Sequence, residues 1–123
     1  MQIQYKLWLE RKGKVLFGHG RQELLAAVVE TGSLAGAAQK LGMSYRAAWG
    51  RVKASEERLG FSLVEHSGQG RRSTRPTPEA LQLLQWYTDL EARTDEFLRQ
   101  ALQDAPSCLG EHAGDGPQPA DEA

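Results

Sequence analysis

Apolar residues recur along the chain with two different periods. Over residues 3–9, Ile3, Tyr5, Leu7 and Leu9 alternate with Gln4, Lys6 and Trp8, the pattern of a strand with one buried face. Arg11-Lys12-Gly13-Lys14 reads as a turn and Val15-Leu16-Phe17 as a return strand ending at Gly18. A β-hairpin over residues 1–18 is therefore predicted, with packing against helices as its plainest role. From residue 21 to 31 the period becomes helical, with Leu24, Leu25, Val28 and Val29 facing inward and Gly32 as the stop.

Residues 33–60 carry the pattern around which the rest is organised. Ser33 is a good N-cap, since its hydroxyl can accept a bond from an orphaned backbone N–H. Ala37 and Ala38 allow close approach of another helix, and Leu41 is predicted to close the apolar face. Gly42 suits the left-handed residue that ends a helix. Met43 fills the corner and Ser44 caps the next helix, where Ala48, Val52 and Leu59 fall at inward spacing. Tyr45, Arg46, Trp49, Gly50 and Lys53 fall on other faces. A short helix, a glycine turn and a second helix with basic and aromatic outer residues form the helix-turn-helix pattern, whose second helix enters the DNA major groove. The alternative is a helical hairpin with no such role, and for Trp49 a place on a wide apolar face.

Phe61 begins a stretch rich in Gly, Ser and Arg. Leu63-Val64-Glu65 can form one strand and residues 72–75 its return, around a tip of Ser67-Gly68-Gln69-Gly70. A hairpin directly after a helix-turn-helix is a wing, here spanning residues 63–76 and carrying Arg71, Arg72 and Arg75; the alternative is a solvated basic loop. Thr77-Pro78-Glu79 starts the last helix: a cap, a proline at the first position and an acid facing the helix dipole. This helix is predicted to run to about residue 103. Leu83, Tyr87, Leu90, Thr94, Phe97 and Ala101 form a heptad-like seam along it, for a second copy of the chain or for back-packing onto the first helix and hairpin. Residues 104–123 are Pro, Gly, Ala and acid and are predicted to be a disordered acidic tail.

Charge sharpens the picture. The 123-residue chain has a net charge of −1, but residues 1–75 hold thirteen of fifteen Lys and Arg against six of sixteen acids, a net of +7. Residues 76–123 hold two against ten, a net of −8. The first part suits a polyanion and the second does not. No apolar run approaches the ~20 residues that span a bilayer, and no signal-peptide pattern opens the chain, so a cytoplasmic protein is expected. Cys108 is the one cysteine, which excludes an internal disulfide.

Enzyme chemistry finds no constellation. His19, His66 and His112 lack metal-ligand spacing, and the Gly68-Gln69-Gly70-Arg71-Arg72 run lacks the Lys-Ser/Thr of a phosphate loop. Glu56 and Glu57 are adjacent on a helix and point apart, which suits a solvated face better than paired-carboxylate catalysis. No metal, no cofactor and no enzyme activity are expected.

These residues resemble a known family. K-L-W-L-E at 6–10, G-H-G-R-Q-E-L-L at 18–25, T-G-S-L at 31–34, L-G-M-S-Y-R-A-A-W at 41–49 and L-G-F-S-L-V-E at 59–65 look like the DNA-binding domain of molybdate-dependent (ModE-like) transcriptional regulators, related to the LysR-type winged helix. The S-Y-R-A-A-W run is the most specific part, and the similarity covers about residues 3–100. Ala80 stands where these families usually carry glycine, Pro76 where they carry leucine, and Ser55 where a core leucine is usual. The molybdate regulators also carry C-terminal oxyanion-binding domains, for which this sequence shows no counterpart.

The expected fold is thus mainly α with small β elements: an N-terminal β-hairpin at 1–18, and at 19–103 a winged helix-turn-helix with a long C-terminal dimerisation helix. The expected function is sequence-specific binding of double-stranded DNA by a homodimeric transcriptional regulator without its own effector domain. Recognition helix 44–59 would enter the groove and wing 63–76 would lie on the backbone. Ser44, Tyr45, Arg46, Trp49, Lys53, Arg71, Arg72 and Arg75 are the expected contacts, with Arg46 reading a base edge. The basic residues lie on the DNA face and the tail is acidic, so no direct molybdate binding is expected. The alternative function is a protein-interaction adaptor whose winged helix no longer binds DNA.

Overall fold

Pairing between neighbouring segments builds both small sheets. In the computed structural model, which describes residues 1–66 and 73–110, strand β1 (Trp8–Arg11) runs antiparallel to β2 (Lys14–Gly18). Arg11 sits opposite Lys14, and Lys12 and Gly13 between them have φ of 52° and 80°. Positive φ at both central residues defines the mirror-image turn whose twist matches that of the strands. The strand expected over residues 3–9 is displaced toward the turn. β2 ends at Gly18 and a helix begins at once, so residues before Trp8 have no strand to pair with. Ile3 and Tyr5 accordingly stand at the surface rather than on a buried face.

Among the described residues, four α-helices follow the expected order: α1 (His19–Thr31), α2 (Leu34–Lys40), α3 (Tyr45–Leu59) and α4 (Pro78–Leu102). Between α3 and α4, β3 (Val64–His66) pairs antiparallel with β4 (Thr74–Pro76) to form the base of the wing. The wing tip at residues 67–70, with Arg71 and Arg72, lies outside the described residues, as does the chain after Gly110. Ser107–Leu109 form a single 3-10 turn.

Two compact units result. The first, Leu7–Thr88, has a core of Phe17, Leu25, Val28, Leu34, Val52 and Leu63 closed by Tyr87 from α4. The Tyr87 ring meets Phe17 edge-on at 5.2 Å between centroids, and its hydroxyl donates to the Leu7 carbonyl at 2.6 Å. Tyr87 is therefore fully committed within its own unit, which removes it from the seam expected along α4. Val29 is exposed, because the buried arc of α1 passes through Leu24, Leu25, Ala27 and Val28. Leu41 also stands at the surface; Met43 packs against the core instead. The second unit combines Met1–Lys6 with the chain from Asp89 onward. There the Tyr5 hydroxyl donates to the Asp95 carboxylate at 2.6 Å, while Phe97 stays 69% exposed.

Candidate nucleic-acid interface

The turn between α2 and α3 is built from caps. Ser33 Oγ accepts the Gly36 amide at 2.9 Å at the start of α2, and the Met43 amide reaches back to the Ala38 carbonyl at 2.9 Å at its end. Gly42, at φ 71°, makes the reversal. Gly36 is required for a different reason: a Cβ there would lie 2.9 Å from the Thr31 side chain. Ser44 Oγ then accepts the Ala47 amide at 3.0 Å and fixes where α3 begins. That bond uses an oxygen lone pair, so the hydroxyl hydrogen can still donate outward.

Ala48, Val52 and Ser55 anchor α3 to the core, which turns Tyr45, Arg46, Gly50 and Lys53 to solvent. Among the described residues Arg46 has no hydrogen-bond or ion-pair partner. Lys53 does: its Nζ lies 4.7 Å over the Trp49 ring and 3.5 Å from Glu56 Oε1. Trp49 is half-buried, with one side against the core and its face toward Lys53. The core and surface readings of Trp49 are thus both satisfied by one orientation.

Glu56 is not the solvated acid its sequence position suggests. Its Oε2 accepts the Leu63 amide at 2.7 Å and approaches the Val64 amide at 3.4 Å, tying α3 to the first wing strand. Thr74 Oγ1 accepts the Leu34 amide at 2.8 Å and holds the second strand to the start of α2. Thr77 donates to the Ser62 carbonyl at 2.7 Å and accepts the Ala80 amide at 3.1 Å, so one hydroxyl both closes the wing and caps α4. Ala80 is fully buried at this junction, where a methyl group is accommodated. Arg75 pairs across the strands with Glu65 at 3.1 Å, leaving only part of its charge for a partner.

Two features escape the sequence pattern. Ser55, a polar residue at a core position, is satisfied: Arg21 Nε on α1 donates to its Oγ at 2.7 Å. Burial first, then the nearby charges of Arg58 and Arg51, lower the pKa of the Arg21 guanidinium below its ordinary value. Arg21, Arg51 and Arg58 are therefore a convergent basic group, although Arg21 precedes Arg51 by 30 positions and Arg58 by 37. Among the described residues, no three metal-ligating side chains come together. No described helix is long and apolar enough to cross a membrane.

Comparison with known proteins follows the same outline. Residues 21–81 match the family described as bacterial regulatory helix-turn-helix protein, lysR family. The chain is 37% identical over 92 residues to the molybdenum transport protein ModE of Herbaspirillum seropedicae, covering 71% of this chain and 34% of that protein. It is 36% identical over 92 residues to the molybdenum-pterin-binding protein MopB of Rhodobacter capsulatus, covering 73% and 34%. The chain thus spans about a third of the length of the curated relatives it matches. Among solved structures, it resembles the CbnR DNA-binding domain in a DNA complex, with a TM-score of 0.53 and 29% identity over 68% of this chain and 97% of that one. The BenM DNA-binding domain in complex with benA site 1 DNA gives 0.52 and 27% over 68% and 91%. The chain therefore carries, over residues 21–81, a winged helix-turn-helix domain of the lysR family of bacterial regulatory proteins.

Proposed function

We propose that this chain is a DNA-binding transcriptional regulator that inserts α3 into the major groove and rests its β3–β4 wing on the phosphate backbone. The outer side of α3 carries the proposal: it begins at a capping serine and presents Tyr45 and Arg46, the latter unpaired among the described residues, with Lys53 about two turns further on. Arg46 suits a guanine edge, because its planar fork matches the two acceptors there. Ser44 and Lys53 suit phosphates, and Tyr45 and Trp49 suit sugar or a thymine methyl. Arg75, together with Arg71 and Arg72, serves the backbone beside the groove. Similar domains were crystallised with DNA in the BenM and CbnR structures, which supports the reading. The protein acts as a homodimer through the apolar residues of α4 and works in the cytoplasm, where its DNA is. Selection of bound fragments from random duplex DNA tests all of this at once. The expected result is a two-fold symmetric consensus; recovery of no consensus would refute sequence-specific binding.

A further inference from the structure

We infer that the N-terminal β1–β2 hairpin is a second wing, which contacts the DNA phosphate backbone on the side of α3 opposite the β3–β4 wing. This inference rests on the proposal that α3 enters the major groove.

The argument begins with the position of the two hairpins around one helix. The β3–β4 wing is tied to α3 at Glu56, through the Leu63 amide. The β1–β2 hairpin is tied to α3 at Arg58, whose Nη1 donates to the Val15 carbonyl at 3.0 Å, and it faces Ala54 and Glu57 across an open cleft of about 450 Å³. Residues two apart on a helix project roughly 160–200° from each other. Ala54 and Arg58 are each two residues from Glu56, so the two hairpins lie on opposite flanks of α3 at the same height along it. Between the flanks run two arcs. One holds the buried residues Ala48, Val52 and Ser55; the other holds Arg46, Gly50 and Lys53. The hairpins therefore bracket the solvent-facing arc that enters the groove.

Charge then says what the hairpin meets. Its turn carries Arg11, Lys12 and Lys14, all exposed, and none has an ion-pair or hydrogen-bonding side-chain partner among the described residues. Several other cations are paired, as Lys40 is with Glu30, Arg75 with Glu65 and Arg99 with Glu96. With Arg58 these three give the cleft four cations against the single acid Glu57; Glu10 on β1 interacts instead with the Trp8 indole at 3.4 Å. An inserted helix about 10–12 Å across fills a major groove about 12 Å wide, so a phosphate ridge runs along each of its flanks. The β3–β4 wing covers one ridge and leaves the other to the hairpin. Residues 8–18 precede the stretch that matches the lysR-family helix-turn-helix, so this contact is an addition to that domain rather than part of its pattern.

The test compares the wild type with a Lys12→Asn/Lys14→Gln double variant. Asparagine tolerates the positive φ at position 12, so the turn is kept. Binding is measured by fluorescence anisotropy across a salt series, on a duplex selected by the wild type and on a random-sequence duplex of equal length. Each lost phosphate contact lowers the salt slope by about 0.9. The variant should show a slope reduced by about 1–2 and an affinity lower by on the order of tenfold on both duplexes, with discrimination between them unchanged. A Lys12→Arg/Lys14→Arg variant should bind like the wild type, and hydroxyl-radical footprints of the neutralised variant should lose protection on one outer flank only. An unchanged slope and affinity in the neutralised variant, while Arg46→Ala loses discrimination, would overturn the second wing and leave the recognition helix intact. No loss of discrimination in Arg46→Ala either would overturn both readings together.

Discussion

The Glu56 carboxylate accepts the backbone amide of Leu63 at 2.7 Å, joining the last turns of α3 to the strand that begins the wing. Its side chain is only 13% exposed, and its other oxygen faces Lys53 at 3.5 Å. A hydrogen bond to a charged group contributes about 1.5–3 kcal/mol, and its loss here would leave the Leu63 amide buried and unpaired. Glu56→Ala should therefore lower unfolding stability by about that amount in chemical denaturation, whereas Glu56→Gln, which keeps an acceptor oxygen, should lose about half. Equal, negligible losses for both would show that the bond contributes nothing to the wing's attachment.

Arg21 and Ser55 join α1 to α3 by a hydrogen bond, at 2.7 Å, in place of an apolar contact. Ser55→Leu would displace the Arg21 guanidinium and crowd a filled core, at a cost of about 1–3 kcal/mol. Ser55→Ala removes only the acceptor and should cost about 1 kcal/mol. A leucine variant more stable than the wild type, read by thermal unfolding, would show that the site is an unfilled core position after all.

Arg46 and Arg75 should separate specificity from affinity. Arg46→Ala should cost about 1–3 kcal/mol on the selected sequence and relax preference at one base position. Arg75 is already paired with Glu65 at 3.1 Å, so Arg75→Ala should weaken binding to every sequence only slightly. Glu65→Gln should do the reverse, freeing the guanidinium and steepening the salt dependence. The check is a salt series on specific and random duplexes, and loss of discrimination in Arg75→Ala would contradict this division.

Features set by local chemistry were legible in the sequence. Ser33 and Ser44 cap the helices expected of them, Gly42 makes the turn at positive φ, and Thr77 begins α4. Each depends on residues three or four positions away, which the sequence displays directly. Features that depend on what lies opposite were not legible. The alternation at residues 3–9 shows a strand-like period but cannot show that β2 stops at Gly18, so pairing begins only at Trp8. Glu56 and Tyr87 follow the same rule. One looks like a solvated acid and the other like a seam residue until the Leu63 amide and the Phe17 ring are brought against them. For the site, the position of Arg46 on the outer side of α3 could be read from helical spacing, whereas the convergence of Arg21, Arg51 and Arg58 required the packing of α1 on α3.

The proposed dimer rests on the part of α4 that its own unit leaves uncovered. Tyr87 and Leu83 pack against the Leu7–Thr88 core, so they are unavailable to a partner. Beyond Thr88, Leu90 and Leu98 are half-covered and Phe97 is 69% exposed, making Phe97 the largest apolar side chain with little to touch on this stretch. Exposed in a monomer, Phe97 can be changed without disturbing the fold; buried between two helices, it cannot accept a charge without a partner. Phe97→Glu should therefore leave thermal unfolding of dilute protein unchanged while weakening self-association at least tenfold, about 1.4 kcal/mol. Affinity for a full two-fold site should fall through loss of linkage, while affinity for an isolated half-site should stay the same. Sedimentation equilibrium across the micromolar range checks the first point and half-site titration the second. A wild type that is monomeric at tens of micromolar, or a variant that still dimerises, would show that α4 does not join two chains through this face.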